Sequence, residues 1–262
     1  MTIVQVAVAG LHAAPDATSE LIDEVLYGMH VDIIETEGEW LKVRTPYRYE
    51  GYCLASHCID APYEGKHRVI ANFADVLAEA KIQSTRLLSL TRGATVEQLQ
   101  VDEIEEGWAS VRLIDGTIGF VRSAWLMPIP AVLTDEKALR ERLVASAFTY
   151  SGTPYRWGGK SPLGIDCSGL CSMAYLLNGI YIYRDAKIVD DFPIRAIAKE
   201  ALQKGDLIYF PGHIAMYIGN EEYIHSSLGG NTVQVNSLNP ASPLYHETLA
   251  TTITAYGSYF SS

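Results

Sequence analysis

Apolar and polar residues alternate in short runs through the first half of the chain: Val31-Asp32-Ile33, Trp40-Leu41-Lys42-Val43 and Trp108-Ala109-Ser110-Val111, with Gly and charged turns between them. A period of two sends successive side chains to opposite faces, so these runs predict short antiparallel strands of small barrels. The pattern recurs. A shift of 65 carries Ala9, Ala13, Ser19, Gly28 and Val31 onto Ala74, Ala78, Ser84, Gly93 and Val96. A shift of 68 carries Trp40, Val43, Arg44 and Gly51 onto Trp108, Val111, Arg112 and Gly119, as a three-residue insertion in one turn would. The period is long for a solenoid unit, which predicts two tandem domains, residues 1–62 and 63–128.

The pattern changes after the linker Met127-Pro128-Ile129-Pro130, where proline removes donors and stiffens the chain. Thr134 is placed to cap a helix whose Leu139, Leu143, Ala147 and Tyr150 share a face, and Asp135 and Glu136 suit its positive first turn. A Gly/Pro-rich loop, 151–164, leads to a second helix starting near Cys167, with Leu170, Ala174 and Leu177 on one face and Asn178-Gly179 ending it. Strand signals follow at 206–210, 213–218, 222–226, 232–235 and 251–256. Helices first and a mainly antiparallel sheet after make residues 129–262 an α+β domain.

Composition narrows the function classes. The 262 residues are 48% hydrophobic, enough for two or three small cores, and the net charge of −11 disfavours a nucleic-acid backbone as partner. Residues 1–62 hold ten Asp/Glu against three Lys/Arg, which reads either as a solvated face or as a negative wall that attracts an amine. Cys53, Cys58, Cys167 and Cys171 stand at spacings that fit neither a disulfide scaffold nor a zinc site. At least three read as buried thiols. The N-terminus alternates like a strand and lacks a basic start and apolar core, and no run is long enough to span a membrane, so the chain as given reads as soluble and cytoplasmic.

One stretch stands apart. Asp166-Cys167-Ser168-Gly169-Leu170 sets a cysteine between an acid and a hydroxyl at a predicted helix start, where free N–H groups and the helix dipole favour thiolate. A cysteine nucleophile needs a base, and the base an orienting group. His213 opens one strand signal, His225 lies in the next, and the turn Gly219-Asn220-Glu221 between them sets the two histidines side by side. Taken singly, a cysteine opening a helix is a small core residue and a strand-end histidine a surface group; the set in this order, with an acid and a serine flanking the cysteine, argues against coincidence and for a cysteine nucleophile with its base and orienting group. His12, His30, His57, His67 and His246 show no partner pattern.

The motifs Tyr155-Arg156-Trp157-Gly158-Gly159, Asp166-Cys167-Ser168-Gly169-Leu170, Gly205-Asp206-Leu207-Ile208-Tyr209-Phe210 leading to His213, and Tyr223-Ile224-His225 resemble the NlpC/P60 family of cysteine peptidases. The E-G-x-W and E-G-W turns at 37–40 and 106–108, with Gly51-Tyr52 and Gly119-Phe120, resemble bacterial SH3 (SH3b) domains. The whole arrangement resembles γ-D-glutamyl-L-diamino-acid endopeptidases, which cut murein peptides bearing a free N-terminal L-Ala. The resemblance implies a papain-like α+β domain preceded by two small all-β SH3b-like barrels. It implies Cys167 as nucleophile, His213 as base and His225 as third polar residue, with Tyr155, Trp157, Asp166 and Ser168 lining the pocket for L-Ala-γ-D-Glu. In this reading Asp166 pairs with the substrate ammonium and Ser168 holds a polar group of the peptide. Tyr49 and Glu20 are the matching positions for a Tyr and an acid that close the cleft, or else an ordinary turn and a surface acid. The implied partner is a murein-derived peptide, with no nucleic acid, no metal and no organic cofactor, and the implied role is recycling of free murein peptides. Two other readings remain: a non-catalytic SH3b binding protein with a degenerate enzyme domain, and a thiol acyltransferase.

Overall fold

The computed structural model describes residues 1–100 and 105–260, and the chain divides into two compact units, Met1–Pro130 and Ala131–Ser262. In the first unit β1 (Thr2–Val4), β2 (Val8–His12), β3 (Leu21–Leu26), β4 (His30–Glu37), β5 (Trp40–Arg44), β6 (Glu50–Leu54) and β7 (Cys58–Asp60) form an antiparallel sheet in the order 3-2-6-5-4-1-7. Strands β8 (His67–Val69), β9 (Phe73–Leu77), β10 (Arg86–Thr91), β11 (Thr95–Leu99), β12 (Trp108–Arg112), β13 (Ile118–Arg122) and β14 (Leu126–Pro128) repeat that order strand for strand.

The registers repeat too. Ala9 pairs with Val25 and Ala74 with Leu90, an offset of 65; Trp40 pairs with Leu54 and Trp108 with Arg122, an offset of 68. The extra three residues therefore enter between Leu99 and Trp108. Each sheet buries one alternating face, around Val4, Leu11, Val25 and Val43 in the first copy and Val69, Val76, Leu90 and Val111 in the second. Tyr27 joins the second core, and its hydroxyl accepts from the Ile114 backbone N–H at 2.7 Å. Gly28 sits at φ +80°, and a Cβ there would collide with Thr95, so both the turn and this close approach demand glycine. Cys53 and Cys58 are buried in the first core as free thiols, their sulfurs 3.7 Å apart.

The second unit sets three helices, α1 (Glu136–Phe148), α2 (Cys167–Leu176) and α3 (Glu247–Thr251), with a short hairpin, β15 (Lys160–Ser161) and β16 (Gly164–Ile165), and a six-stranded antiparallel sheet. The sheet is built from β17 (Arg195–Ile197), β18 (Leu207–Phe210), β19 (His213–Gly219), β20 (Glu222–Ser227), β21 (Thr232–Ser237) and β22 (Ala255–Ser258), in the order 17-22-18-19-20-21. Asp135, not Thr134, caps α1: its carboxylate accepts from the Ala138 N–H at 2.7 Å. The strand expected over 251–256 begins only at Ala255. His246 caps α3 just before it, with ring Nδ1 accepting from the Leu249 N–H, and α3 takes residues up to Thr251.

Arg140 ties α1 to the sheet. Its guanidinium lies 2.8 Å from the fully buried Asp206, donates to the Lys204 carbonyl and stacks 3.8 Å over the Phe260 ring. Asp206 also accepts from Ser258 Oγ at 2.6 Å, so one buried carboxylate holds α1, β22 and the entry to β18 together. Among the described residues no helix is long and apolar enough to cross a membrane.

Candidate active site

Helix α2 is buried along its whole length, with Cys167 its first residue. Asp166 is the cap: its backbone is extended and its carboxylate accepts from the Gly169 N–H at 2.6 Å. The loop of the Tyr-Arg-Trp-Gly-Gly motif wraps this corner. Gly158 N–H donates to the other Asp166 oxygen at 2.8 Å, and the Gly159 carbonyl approaches Gly169 so closely that a side chain there would strike it. The missing side chain of Gly169 thus lets the loop backbone touch the helix start.

The sheet brings the histidines to the same place. The hairpin turn at Asn220 and Glu221 takes left-handed φ values of +53° and +60°, and pairs Met216 with Ile224. His213 and His225 then lie diagonally on one face, with His213 Nε2 2.8 Å from His225 Nδ1 and ring centroids 5.0 Å apart. The backbone N–H of Ile214, next to His213, hydrogen-bonds the Cys167 sulfur and favours its thiolate, as does the Ser168 N–H. With Nε2 engaged by His225, Nδ1 is the His213 nitrogen left for Cys167.

Electrostatics modify the expected charge state. Burial, then the Asp166 carboxylate, push the Cys167 thiol up to about 11, outweighing the two N–H groups and Arg184. Burial, then His225 and His246, bring His213 down to about 4. Burial lowers His225 as well. The resting pair at neutral pH is therefore a thiol beside a neutral imidazole, not the thiolate that the helix terminus alone would favour. His213 takes a proton at about 6.5 when unfolded and about 4 when folded, so below pH 6.5 the unfolded chain binds protons first. Stability is full above about pH 6.5 and falls as pH drops to about 4, with roughly 3 kcal/mol from His213 alone. Urea unfolding at pH 7 and pH 4, on wild type and His213→Phe, checks this: the variant should lose less between the two pH values.

Of the expected pocket residues, Tyr155, Asp166 and Ser168 gather at the thiol. Tyr155 bridges to Ile165, and burial, then Cys167 and Asp166, raise its hydroxyl to about 12. Trp157 is 59% exposed on the loop. Asp166 and Ser168 are buried and turned toward Arg184, which donates to both Asp166 oxygens at 3.0 and 2.9 Å and to Ser168 Oγ at 2.6 Å. Asp166, the residue the resemblance pairs with the substrate ammonium, is held by Arg184, Ser168 and two backbone N–H groups. Glu20 directly precedes β3 and Tyr49 directly precedes β6 in the first unit; the resemblance alone assigns them to closing the cleft.

Three residues escaped the sequence reading. Arg184 lies in Tyr181-Ile182-Tyr183-Arg184, a stretch with no local signature. Asn236 Oδ1 sits 2.9 Å from His225 Nε2, and its Nδ2 donates to the Leu244 carbonyl at 2.9 Å. Its signal was present: in Thr232-Val233-Gln234-Val235-Asn236 the polar residues alternate onto one face. His246, set aside in the sequence for want of a partner pattern, stands close enough to depress both His213 and His225.

Residues 152–251 match the family model described as NlpC/P60 family, and residues 7–60 match the model described as Bacterial SH3 domain. The chain is 53% identical over 268 residues to a Lysinibacillus sphaericus protein called dipeptidyl-peptidase 6, covering 98% of this chain and 99% of the relative. A Bacillus cereus protein called gamma-D-glutamyl-L-lysine dipeptidyl-peptidase is 29% identical over 251 residues, covering 84% of this chain and 72% of the relative. In fold the chain is similar to the crystal structure of an NlpC/P60 family protein from Bacillus cereus, with a TM-score of 0.78 at 24% identity over 98% of this chain and 99% of that one.

Proposed function

Because the chain belongs to the NlpC/P60 family of cysteine peptidases, we propose that it hydrolyses the γ-D-glutamyl–diamino-acid bond of murein peptides with a free N-terminal L-Ala. The observation that carries this reading is the convergence of Cys167, the Ile214 N–H and the hydrogen-bonded His213–His225 pair at one corner. The names of the relatives point to the same bond: one is called a γ-D-glutamyl-L-lysine dipeptidyl-peptidase, and release of a dipeptide requires an open N-terminus. In this reading the domain is papain-like, two SH3b-like barrels precede it, and the enzyme serves recycling of free murein peptides in the cytoplasm.

The resting charge state selects the first step. His213 Nδ1 takes the Cys167 proton as the sulfur attacks the γ-glutamyl carbonyl, because neither group is charged beforehand. The tetrahedral oxyanion forms at the start of α2, where backbone N–H groups and the helix dipole stabilise it. His213 returns the proton to the amine of the departing diamino acid, leaving an acyl thioester on Cys167. Water, deprotonated by His213, hydrolyses the thioester and frees L-Ala-γ-D-Glu. No step uses a metal or organic cofactor.

The test is mass spectrometry of the products from L-Ala-γ-D-Glu-L-Lys and its N-acetylated twin, with the meso-diaminopimelate peptides run alongside. The free peptides should yield L-Ala-γ-D-Glu, and acetylation should lower kcat/KM about a hundredfold by removing a charged, hydrogen-bonded contact. Equal cleavage of the acetylated twin would sink the free-amine requirement. Cleavage of neither would move weight to the binding-protein or acyltransferase readings.

A further inference from the structure

Beyond the Cys167–His213–His225 set, and resting on the reading that these residues do the chemistry, we infer that Asn236 is a positioning residue that fixes which nitrogen of His213 acts as the base. What each atom can donate sets the tautomers. An amide oxygen only accepts, so the ring nitrogen facing Asn236 Oδ1, Nε2 of His225, carries its hydrogen. Neutral His225 then presents a bare Nδ1, which can only accept. His213 Nε2, 2.8 Å away, must therefore be the N–H. That leaves the lone pair of neutral His213 on Nδ1, the nitrogen available to Cys167.

If the Asn236 amide were reversed, its NH2 would face His225 and require a bare Nε2. His225 would then carry hydrogen on Nδ1 and donate it to His213 Nε2. His213 would hold its proton on Nδ1, where it could not accept one from the thiol. The orientation of one amide therefore decides whether His213 is a base.

The structure holds that orientation at both ends. Asn236 Nδ2 donates to the Leu244 carbonyl at 2.9 Å, and Gln234 Nε2 donates to Asn236 Oδ1 at 3.0 Å. The Leu244 carbonyl is itself pinned, since it also accepts the Ser237 N–H at 2.9 Å. Reversal would set oxygen against oxygen at Leu244 and NH2 against NH2 at Gln234, and would break both hydrogen bonds. Strand β21 makes this possible: His225 pairs with Gln234, so Gln234 and Asn236, two residues apart, both lie on the face of the sheet that carries the histidines. The other groups around His225 are His213, the Tyr223 ring at 5.2 Å and His246, and none of these is bonded to its Nε2.

The test reads the tautomer directly. Full-length protein labelled with 15N-histidine gives ring-nitrogen assignments by long-range proton–nitrogen NMR at pH 7, alongside kcat and KM on L-Ala-γ-D-Glu-L-Lys. Wild type should show single Nε2–H tautomers at His213 and His225. Asn236→Ala should mix the tautomers of both rings and lower kcat about tenfold or more, with KM unchanged within twofold. Asn236→Asp keeps an acceptor facing His225, so it should keep the Nε2–H tautomer and recover most of the kcat lost in Asn236→Ala; it also serves if the alanine variant fails to fold. A wild-type His225 protonated on Nδ1, or an Asn236→Ala protein with unmixed tautomers and undiminished kcat, would overturn the inference. Should wild type show the stated tautomers yet leave the peptide uncut, the functional reading falls and the positioning role of Asn236 stands.

Discussion

Cys167→Ala is expected to lower kcat on L-Ala-γ-D-Glu-L-Lys by about 10⁵-fold or more, to the background of uncatalysed hydrolysis. Removing the nucleophile removes the thioester route altogether, and the histidines behind it have nothing to activate. The fold should survive. Cys167 is a small first-turn residue, and the contacts that hold this corner come from Asp166, Gly158, Gly169 and Arg184. Peptide binding should survive as well, so calorimetric titration of the variant would give a Kd close to the wild-type value. Residual turnover above about 1% would mean that the sulfur is not the attacking atom. The resting charge state adds a second readout. With the thiol raised to about 11, iodoacetamide should modify wild-type Cys167 only slowly at pH 6, where a resting thiolate–imidazolium pair would react readily.

Arg184→Ala should cost the second unit about 3–5 kcal/mol, the largest stability loss expected from any single substitution at this site. Arg184 is 1% exposed and Asp166 6%, so their ion pair lies almost wholly out of water. Removing the cation leaves a buried carboxylate answered only by Ser168 and two backbone N–H groups, and breaking one side of such a pair is far more costly than exchanging both sides for apolar groups. Arg184→Lys should not rescue it. The guanidinium reaches both Asp166 oxygens and Ser168 Oγ at once, and a single ammonium cannot span them. Cys167 should become still less acidic, because Asp166 raises it and Arg184 opposes that effect. Denaturant unfolding together with the pH dependence of Cys167 alkylation measures both. A loss below 1 kcal/mol would show that water or a rearranged loop replaces the arginine.

These two residues illustrate how differently a site is written into a chain. The placement of Cys167 at a helix start was legible because its cause is local: an acid cap, a helix start and an apolar helix follow one another within a few residues. His213 and His225 were legible because one tight turn joins their strands, and a hairpin brings near neighbours in sequence together in space. The repeat in the first unit was legible through shared alternation, and the identical strand orders and paired registers reproduce its offsets of 65 and 68. Arg184 was not legible. It reaches Asp166 from 18 residues away, beyond α2 and on an irregular segment, and no periodicity marks such a contact. The helix cap went to the wrong neighbour, Asp135 rather than Thr134, because both residue types cap well and only the backbone angle at the helix start chooses between them.

By itself, then, the sequence determined what depends on neighbouring residues: the two alternating β copies, the helix that presents Cys167, the hairpin that carries the histidines, and the family to which their motifs belong. Tertiary structure alone decided what depends on burial and on long-range contact. Burial leaves the Cys167 thiol and His213 neutral at rest, because desolvation of a charge outweighs the pull of a helix terminus. Packing commits Asp166 to Arg184, where local sequence left it open to a ligand. The meeting of β20, β21 and the Leu244 loop turns the Asn236 amide oxygen toward His225, and a hydrogen bond's direction is set by the atoms facing one another across the fold, not by their order along the chain.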